Sequence, residues 1–345
     1  MDILFVGQIS SGSTTLQRMN ALIQLGHQVT ALSSEIEKTP KFLFWFYQKI
    51  LARIYWQFGY PLDVNRINLK IINYLKQSPF DILWLDKVVV INPKTLKTLK
   101  NLQKNCQIIS YSPDDMMIPA NQSRYYLSCI PFLDLHVTTK SYNVAELKEL
   151  GALKVLFIDN AFDPDTHHPI LLSKEEKKIW ERDVSHVGGY EKDRFEKMLK
   201  LADSGIKVTI RGPAWEPYIG SHKNLEIIPG WIYNEDYARA ICGSKINLNF
   251  LRKSARDKQT TRSIEIPACG GFMLAERTEE HRALFEEGKE AAFFDDEIDL
   301  IEKVKFFLVH ENVRQRIAAA GRERCIKDGY SNHERINKII TYLRP

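Results

Sequence analysis

The sequence has few of the features that cross-link or anchor a chain. Its five cysteines are odd in number, far apart and never spaced as C-x-x-C, so neither a disulfide framework nor a zinc ribbon is expected. No run of 18 apolar residues occurs, and the apolar run after Met1 is too short for a signal peptide. Glycine and proline supply only 17 and 14 of the 345 residues, which excludes a collagen-like or low-complexity chain. We therefore expect a cytoplasmic protein without a membrane span.

Charge of one sign is also scarce, with one local exception. The 48 lysines and arginines exceed the 43 acids by only five, and no basic stripe is interleaved with aromatics, so nucleic-acid binding is not expected. Residues 252–262 nevertheless carry a net charge of +4. The bases are Arg252, Lys253, Arg256, Lys258 and Arg262, and the one acid is Asp257. This segment, called the basic window below, is the first candidate for a binding site.

The order of apolar runs predicts an α/β protein. Short buried-type strands near residues 3–7, 28–32, 81–85, 107–111, 135–139 and 155–158 alternate with helical patterns, and the rhythm restarts after residue 185. A proline-containing segment at 163–178 is typical of a linker. Because 345 residues favour two domains, we expect two Rossmann-like, doubly wound parallel sheets with a ligand cleft between them.

Two interpretations fit the loop after the first strand. Gly7 and Gly12 have the spacing of a phosphate-binding P-loop, but Ser13 stands where the phosphate-binding lysine would be. An ATPase is therefore not expected. The loop is either a tight strand-to-helix turn with Ser/Thr caps or a ligand-contacting loop at the cleft.

The basic window precedes a predicted helix that carries Glu265. Free N–H groups and the helix dipole favour an anion at such a position. Glu265, about a turn further on, is placed to accept hydrogen bonds from sugar hydroxyls, as the acid of a dinucleotide site does. The alternative is a solvated charged loop in which Glu265 only suits the helix dipole.

Two carboxylates follow a predicted strand of the first domain. Asp114 and Asp115 come after residues 107–111 and Pro113, where a carboxylate can act as a general base toward a hydroxyl. The alternative is an ordinary Ser-Pro-Asp-Asp turn. His167 and His168 lie in the expected linker and are interpreted as structural.

Residues 41–58 are unusually aromatic and carry bases at Lys41, Lys49 and Arg53. They predict either an interfacial helix that contacts an anionic membrane or a buried helix or oligomer contact.

The most specific pattern is the block RSIEIPACGG at residues 262–271, which is followed by a short apolar strand. It resembles the signature in the C-terminal domain of GT-B glycosyltransferases, in particular glycosyltransferase family 4. Further segments look, in order and over nearly the whole chain, like the CgeB-like (spore-maturation protein) branch of these enzymes. They are residues 25–29, 111–115, 187–190 with Arg194, 210–215, 284–288 and 330–335.

The resemblance implies which residues hold a nucleoside diphosphate sugar. Glu265 falls on the second glutamate of the family's paired-acid motif, which implies a ribose contact. Asp257 falls on the first acid, where a glutamate is usual. The residues implied to line the diphosphate or the rest of the donor site are Gly188, Gly189, Arg194, Arg211, Arg262, Gly270 and Gly271.

The same resemblance implies an acceptor-side domain at 1–165, a donor-binding domain at 166–330 and a helix at 331–345 that crosses back to the first domain. Gly12, Ser13 and Lys87 are the expected acceptor-side residues. Family 4 enzymes often carry a histidine after the fourth N-terminal strand, but this chain has Asp86 and Lys87 after one strand and Asp114 and Asp115 after the next. The stereochemistry of transfer therefore does not follow from the sequence.

These observations predict a GT-B glycosyltransferase that moves a sugar from a nucleoside diphosphate to a hydroxyl acceptor in polysaccharide or glycoconjugate biosynthesis. Arg262 and either Asp114 or Asp115 are the expected catalytic residues, and neither a metal nor another cofactor is expected. Peripheral contact with the inner face of a membrane through residues 41–58 is a further expectation. The rival hypothesis is a non-catalytic nucleotide- or sugar-binding assembly protein on the same scaffold.

Overall fold

A computed structural model describes residues 1–35, 50–51 and 53–343. The chain divides into two units: residues 1–159 together with 335–345, and residues 160–334. Each unit contains one six-stranded sheet in which neighbouring strands are parallel. The doubly wound α/β architecture predicted from the alternation of apolar strands and helices is confirmed.

The sheet of the first unit has the order β2-β1-β3-β4-β5-β6. Its strands are β1 (Asp2–Gly7), β2 (Gln28–Ser33), β3 (Ile82–Asp86), β4 (Gln107–Ser112), β5 (Leu135–Thr138) and β6 (Val155–Phe157). Among its described residues are the helices α1 (Thr14–Gln24), α2 (Ile67–Gln77), α3 (Pro93–Leu102), α4 (Arg124–Cys129) and α5 (Asn143–Glu149). The strands are apolar at consecutive positions because helices cover both faces of the sheet.

The two faces of β1 show this directly. Leu4 and Val6 pack with residues of α2 and α3, whereas Ile3 and Phe5 pack with α1 and with Ile339 near the end of the chain. Helix α1 begins at Ser13, whose hydroxyl accepts a hydrogen bond from the amide of Leu16.

The sheet of the second unit has the order β12-β11-β10-β7-β8-β9. Its strands are β7 (Arg182–Val187), β8 (Val208–Gly212), β9 (Leu225–Pro229), β10 (Ser244–Asn249), β11 (Met273–Glu276) and β12 (Ala292–Phe294). Its helices are α6 (Lys174–Trp180), α7 (Lys192–Asp203), α8 (Asn234–Cys242), α9 (Arg262–Ala268), α10 (Glu279–Leu284), α11 (Glu297–Val309) and α12 (Glu311–Lys327). The apolar pattern misses the three-residue strand β12, which is too short to show a period.

The last helix, α13 (Asn332–Leu343), contributes to both units. Its residues from Arg335 onward belong to the first unit, where Ile336, Ile339 and Ile340 join the core that contains Trp84.

The segment 163–178, expected to be a linker, instead folds within the second unit. Asp163 and His167 are buried, and the Asp163 amide donates to Nδ1 of His167 over 3.0 Å. Helix α6 begins with a capping box formed by Ser173 and Glu176. The prolines and charged residues of this segment predicted an irregular linker. Helix caps and buried polar contacts instead give it a defined structure.

Candidate anion-binding site

The loop that follows β7 is the centre of the candidate site. It contains Gly188 and Gly189 and is called the glycine loop below. Val187 at the end of β7 is paired with Arg211 of β8, so Gly188 and Gly189 lie beside Gly212. The backbone at Gly212 has φ +154°, and a methyl group there would lie 2.1 Å from the Gly188 carbonyl oxygen. Only glycine permits this approach, which holds the glycine loop against the end of β8.

Further hydrogen bonds fix the glycine loop. The Gly188 amide donates to the Arg211 carbonyl over 2.8 Å, and the indole N–H of Trp215 donates to the Gly188 carbonyl over 2.8 Å. Trp215 is fully buried. These contacts hold the backbone of the glycine loop in one position at the site.

Two arginines from different helices meet at this loop. Arg194 of α7 is 2% exposed, and its Nη1 donates to the Gly189 carbonyl over 3.2 Å. Nη1 of Arg262, the first residue of α9, would lie 3.3 Å from a methyl group on Gly188. Burial and the neighbouring Arg262 charge lower the pKa of Arg194 to about 9. Because two like charges with little water around them repel each other, a bound anion would stabilise this pair of arginines.

The hydrogen-bonding capacity of both arginines is only partly filled. Nε and Nη2 of Arg194 and Nε of Arg262 are buried and have no hydrogen-bond partner among the residues that the structure describes. Buried polar groups are normally paired, so orphaned donors at one place mark a position where a ligand is expected.

His186 adds a third polar group to the cluster. Its ring is buried in β7, and Nδ1 lies 3.0 Å from the Leu248 carbonyl oxygen. A methyl group on Gly188 would lie 2.8 Å from Nε2, which is buried and also lacks a partner within the described part of the chain. Burial and the charges of Arg262 and Arg194 hold the pKa of His186 well below its ordinary value. This histidine was not among the residues predicted from the sequence, although its position two residues before Gly188 was a usable signal.

Two other bases of the basic window are paired with acids. Arg252 pairs with the buried Asp257 at 3.2 Å, and Lys253 pairs with Asp193 of α7 at 2.7 Å. Of the window's bases, Arg262 is the one that the structure brings to Gly188.

The amino end of α9 differs from the expectation. The helix has only seven residues, and the amides of Ser263, Ile264 and Glu265 donate to the carbonyls of Thr260 and Thr261. Fewer free N–H groups than expected are therefore available at the amino end of α9. The arginine side chains provide most of the positive charge at this site.

Two residues that were not predicted from the sequence to contact Glu265 lie beside its carboxylate. The Tyr237 hydroxyl donates to Oε2 of Glu265 over 2.8 Å, and Nε2 of His167 lies 3.8 Å from Oε1. Because Nδ1 of His167 accepts from the Asp163 amide, its neutral ring carries the proton on Nε2 and directs it toward Glu265. Glu265 itself is 6% exposed.

Three further residues assigned to the donor site by resemblance are Arg211, Gly270 and Gly271. The Arg211 guanidinium stacks on Trp180 at 4.7 Å and donates to the Ile179 carbonyl. Gly270 and Gly271 follow the carboxyl end of α9, where a methyl group on Gly271 would lie 2.6 Å from Ile241. Gly270 and Gly271 thus have packing contacts, whereas Arg211 reaches the Gly188 amide through its backbone carbonyl while its guanidinium lies against Trp180.

In the first unit, the expected acceptor-side residues lie at the carboxyl ends of the strands. Lys87, with φ +50° after β3, forms an ion pair with Asp114 after β4. Asp115 is fully buried and accepts from the side chain of Asn143 over 2.9 Å. Of the two candidate bases, Asp114 is therefore the one within reach of solvent, since its side chain is 21% exposed.

The glycine-containing loop before α1 uses Ser13 as a helix cap. Below it, Arg18 and Asp86 form a buried two-pronged ion pair at 2.8 Å, and Thr15 also donates to Asp86 over 2.9 Å. A methyl group on Gly7 would lie 3.0 Å from Cβ of Asp86. The Gly7 position is therefore explained by packing against this pair, which sequence spacing alone could not predict.

Most of the aromatic segment lies outside the described residues, namely 41–49 and 52. Residues 53–57 are helical, and Ile54, Tyr55, Trp56 and Phe58 are exposed, Phe58 to 68%. The buried-helix alternative does not fit these four side chains. None of the described helices is long and apolar enough to cross a bilayer.

Solved structures share this architecture. HepE of Anabaena, in a structure described as a complex with UDP and glucose, is 12% identical with a TM-score of 0.63, covering 99% of this chain and 100% of that chain. Sucrose-phosphate synthase of Thermosynechococcus elongatus is 11% identical with a TM-score of 0.66, covering 99% of each. A glycosyltransferase of Rickettsia africae is 14% identical with a TM-score of 0.63, covering 99% and 97%. The chain therefore has the two-domain Rossmann-like fold of the GT-B glycosyltransferases.

A narrower likeness lies in the second half of the chain. Residues 192–341 match the family model described as glycosyl transferase-like. This stretch includes Arg194 and Arg262 of the candidate site. No curated protein matches the chain by sequence.

Proposed function

We propose that this chain is a glycosyltransferase that moves a sugar, of the hexosyl or a related class, from a nucleoside diphosphate to a hydroxyl acceptor. The single observation that carries the proposal is the cluster of buried, unpaired donors on Arg194 and Arg262 at the glycine loop. The family match of residues 192–341 supports it, as do the UDP and UDP-glucose named for the HepE structures.

Chemistry at such a site depends on the leaving group. Glycosyl transfer passes through an oxocarbenium-like state while negative charge grows on the departing diphosphate. Arg194 and Arg262 would stabilise that charge at little reorganisation cost, because Gly189 and Phe250 carbonyls already hold their guanidinium groups. The two cations supply this stabilisation within the protein, and metal independence is therefore part of the proposal.

The remaining donor contacts follow from the side chains beside α9. Glu265 would accept hydrogen bonds from the ribose hydroxyls, with Tyr237 holding one of its oxygens. Asp257, paired with Arg252, would act on the donor sugar indirectly, through the position of Arg252.

On the acceptor side, Asp114 would serve as the general base, since its partial exposure suits contact with a hydroxyl. Lys87 beside it is its ion-pair partner. We also assign the chain to the CgeB-like branch, on the ordered motifs of its sequence, and to polysaccharide or glycoconjugate biosynthesis.

The test is a thermal-shift screen followed by a turnover assay. A nucleoside diphosphate that binds only the folded state raises Tm, and at 100 times its Kd it adds about 2.7 kcal/mol of stability. Donor hydrolysis is then measured with uridine, guanosine, adenosine and thymidine diphosphate sugars. Binding together with turnover supports a glycosyltransferase, whereas tight nucleotide binding without turnover for any donor favours the assembly-protein hypothesis.

The proposal extends to a membrane contact through residues 50–58. Trp56 and Phe58 are exposed and follow Arg53 by three and five residues, a combination that suits an anionic bilayer surface. We expect the chain to sediment with phosphatidylglycerol vesicles and a Trp56→Ser/Phe58→Ser variant to remain in solution. Leu171→Ser, which alters a leucine that is 97% exposed in the second unit, is the control. Equal sedimentation of all three proteins would contradict the contact.

A further inference from the structure

The tautomer of the neutral His186 ring is set by its surroundings. Nδ1 faces the Leu248 carbonyl at 3.0 Å, and a carbonyl oxygen only accepts, so Nδ1 carries the proton. Nε2 then presents a lone pair, and it lies on the side of the ring that faces Gly188. A neutral ring of this tautomer has no donor to offer at the glycine loop.

The lone pair on Nε2 of His186 would be unfavourable beside a bound phosphate. Phosphate oxygens only accept hydrogen bonds, so a neutral Nε2 beside them would repel them and remain unpaired. Burial of the ring, and after it the charges of Arg262 and Arg194, disfavour the protonated form of His186. A diphosphate would cancel both of those charges.

We propose that His186 takes up a proton when a diphosphate binds at Gly188 and Gly189, so that donor binding is coupled to protonation and the ring becomes a third cationic donor. This inference rests on the proposed function, since it names the same diphosphate site.

The charged groups around the ring set the direction of this coupling. Arg194 on α7 and Arg262 on α9 act on His186 directly. Glu191 and Asp257 are acids that act on Arg194, and Arg252 is a further base that does so. The balance of these charges is positive, so an arriving anion stabilises the imidazolium form.

The experiment is calorimetry of donor binding in buffers that differ in ionisation enthalpy. The probe is whichever glucose-bearing diphosphate of uridine, guanosine, adenosine or thymidine raises Tm most. Each phosphate of such a probe is esterified or in the anhydride, with no proton that titrates near neutral pH, so a proton taken up must enter the protein. At pH 6.5 we expect uptake of at least about half a proton per bound donor, and affinity that falls as pH rises from 6 to 8, by up to about tenfold per pH unit.

Two variants isolate the ring. His186→Asn keeps an amide donor near the Nδ1 position and His186→Gln extends an amide toward the Nε2 position, and neither titrates. Both should bind the donor with no proton uptake and with affinity that is flat between pH 6 and 8. Circular dichroism and Tm of the free variants check that each one folds, and either folded variant suffices.

The outcomes separate this inference from the proposed function. Donor binding with less than about half a proton taken up at pH 6.5, or uptake that persists in a folded variant, overturns the coupling and leaves the glycosyltransferase proposal standing. Weaker binding in the variants without any proton uptake in the parent protein would make His186 a neutral acceptor and also overturns it. If no member of the nucleotide-sugar panel binds, both proposals fail together.

Discussion

At the residue scale, the candidate site depends on guanidinium groups that have lost water without gaining a carboxylate. Arg18 shows the opposite arrangement, since it is equally buried but paired with Asp86. Within the described residues, Arg194 has a hydrogen bond to the Gly189 carbonyl, and its pKa is lowered. The contrast separates a structural ion pair from a site that a ligand would complete.

Arg262→Ala should lower donor turnover by about 10²- to 10³-fold, because one donor to the developing charge is lost. The fold should remain intact, since the change also relieves repulsion with Arg194. Steady-state kinetics of donor hydrolysis and acceptor transfer measure the loss.

Arg282→Ala is the matched control for that prediction, because Arg282 is an exposed arginine of α10 in the same unit. It should leave turnover within about twofold, as expected of a surface substitution. Unchanged activity of Arg262→Ala, with correct folding, would remove Arg262 from the mechanism.

The sequence pointed to Arg262 through local charge density and to Arg194 through resemblance. It could not show that Arg252 and Lys253 of the same window are paired with acids. Nor could it show that His186 faces the same loop, because burial, tautomer and distance to Gly188 depend on packing between β7 and β10.

At the scale of elements, the glycine loop and the end of β8 form one unit. The Gly188 carbonyl lies where a side chain of residue 212 would begin, so the two segments can approach only if residue 212 has no Cβ. The order of strands brings them together, because β7 and β8 are parallel neighbours in the sheet.

Gly212→Ala should displace the glycine loop and weaken nucleotide binding by at least about tenfold, a misplacement cost of the kind seen when site groups move by an ångström. Calorimetry or thermal shift with the nucleotide found in the screen measures the change.

Gly205→Ala is the control for the glycine loop. Gly205 also has a positive φ, +88°, but a methyl group there meets nothing within 4 Å. It should cost about 1 kcal/mol of stability from backbone strain while nucleotide affinity stays unchanged. Equal affinity of the Gly212 and Gly205 variants would show that the loop position does not govern binding.

At the scale of the whole molecule, buried neutral histidines tie stability to pH in both units. Burial lowers the pKa of His136 in β5 and of His281 in α10 to about 4. In the unfolded chain both titrate near 6.5. Between pH 6.5 and about 4 the unfolded chain therefore binds more protons, and the free energy of unfolding falls as pH falls.

We expect each of these histidines to reduce the free energy of unfolding by up to about 1.4 kcal/mol per pH unit across that window. Urea unfolding at pH 7.5, 6.5, 5.5 and 4.5 measures the slope. His281→Gln should be less stable at pH 7.5, because it disturbs contacts with Ser263 and Glu276, but its stability should fall less steeply below pH 6.5. Parallel curves for the parent and the variant would contradict the assignment.

The sequence by itself determined the doubly wound α/β class, because apolar strands that are covered on both faces leave a pattern visible without coordinates. It also determined where positive charge is concentrated. The tertiary structure decided which cations are available to a ligand, since that depends on which acids lie beside them. Arg194 and Arg262 are 68 residues apart in the chain and meet at Gly188 only because parallel strands end at the same edge of the sheet, where their loops and helices converge.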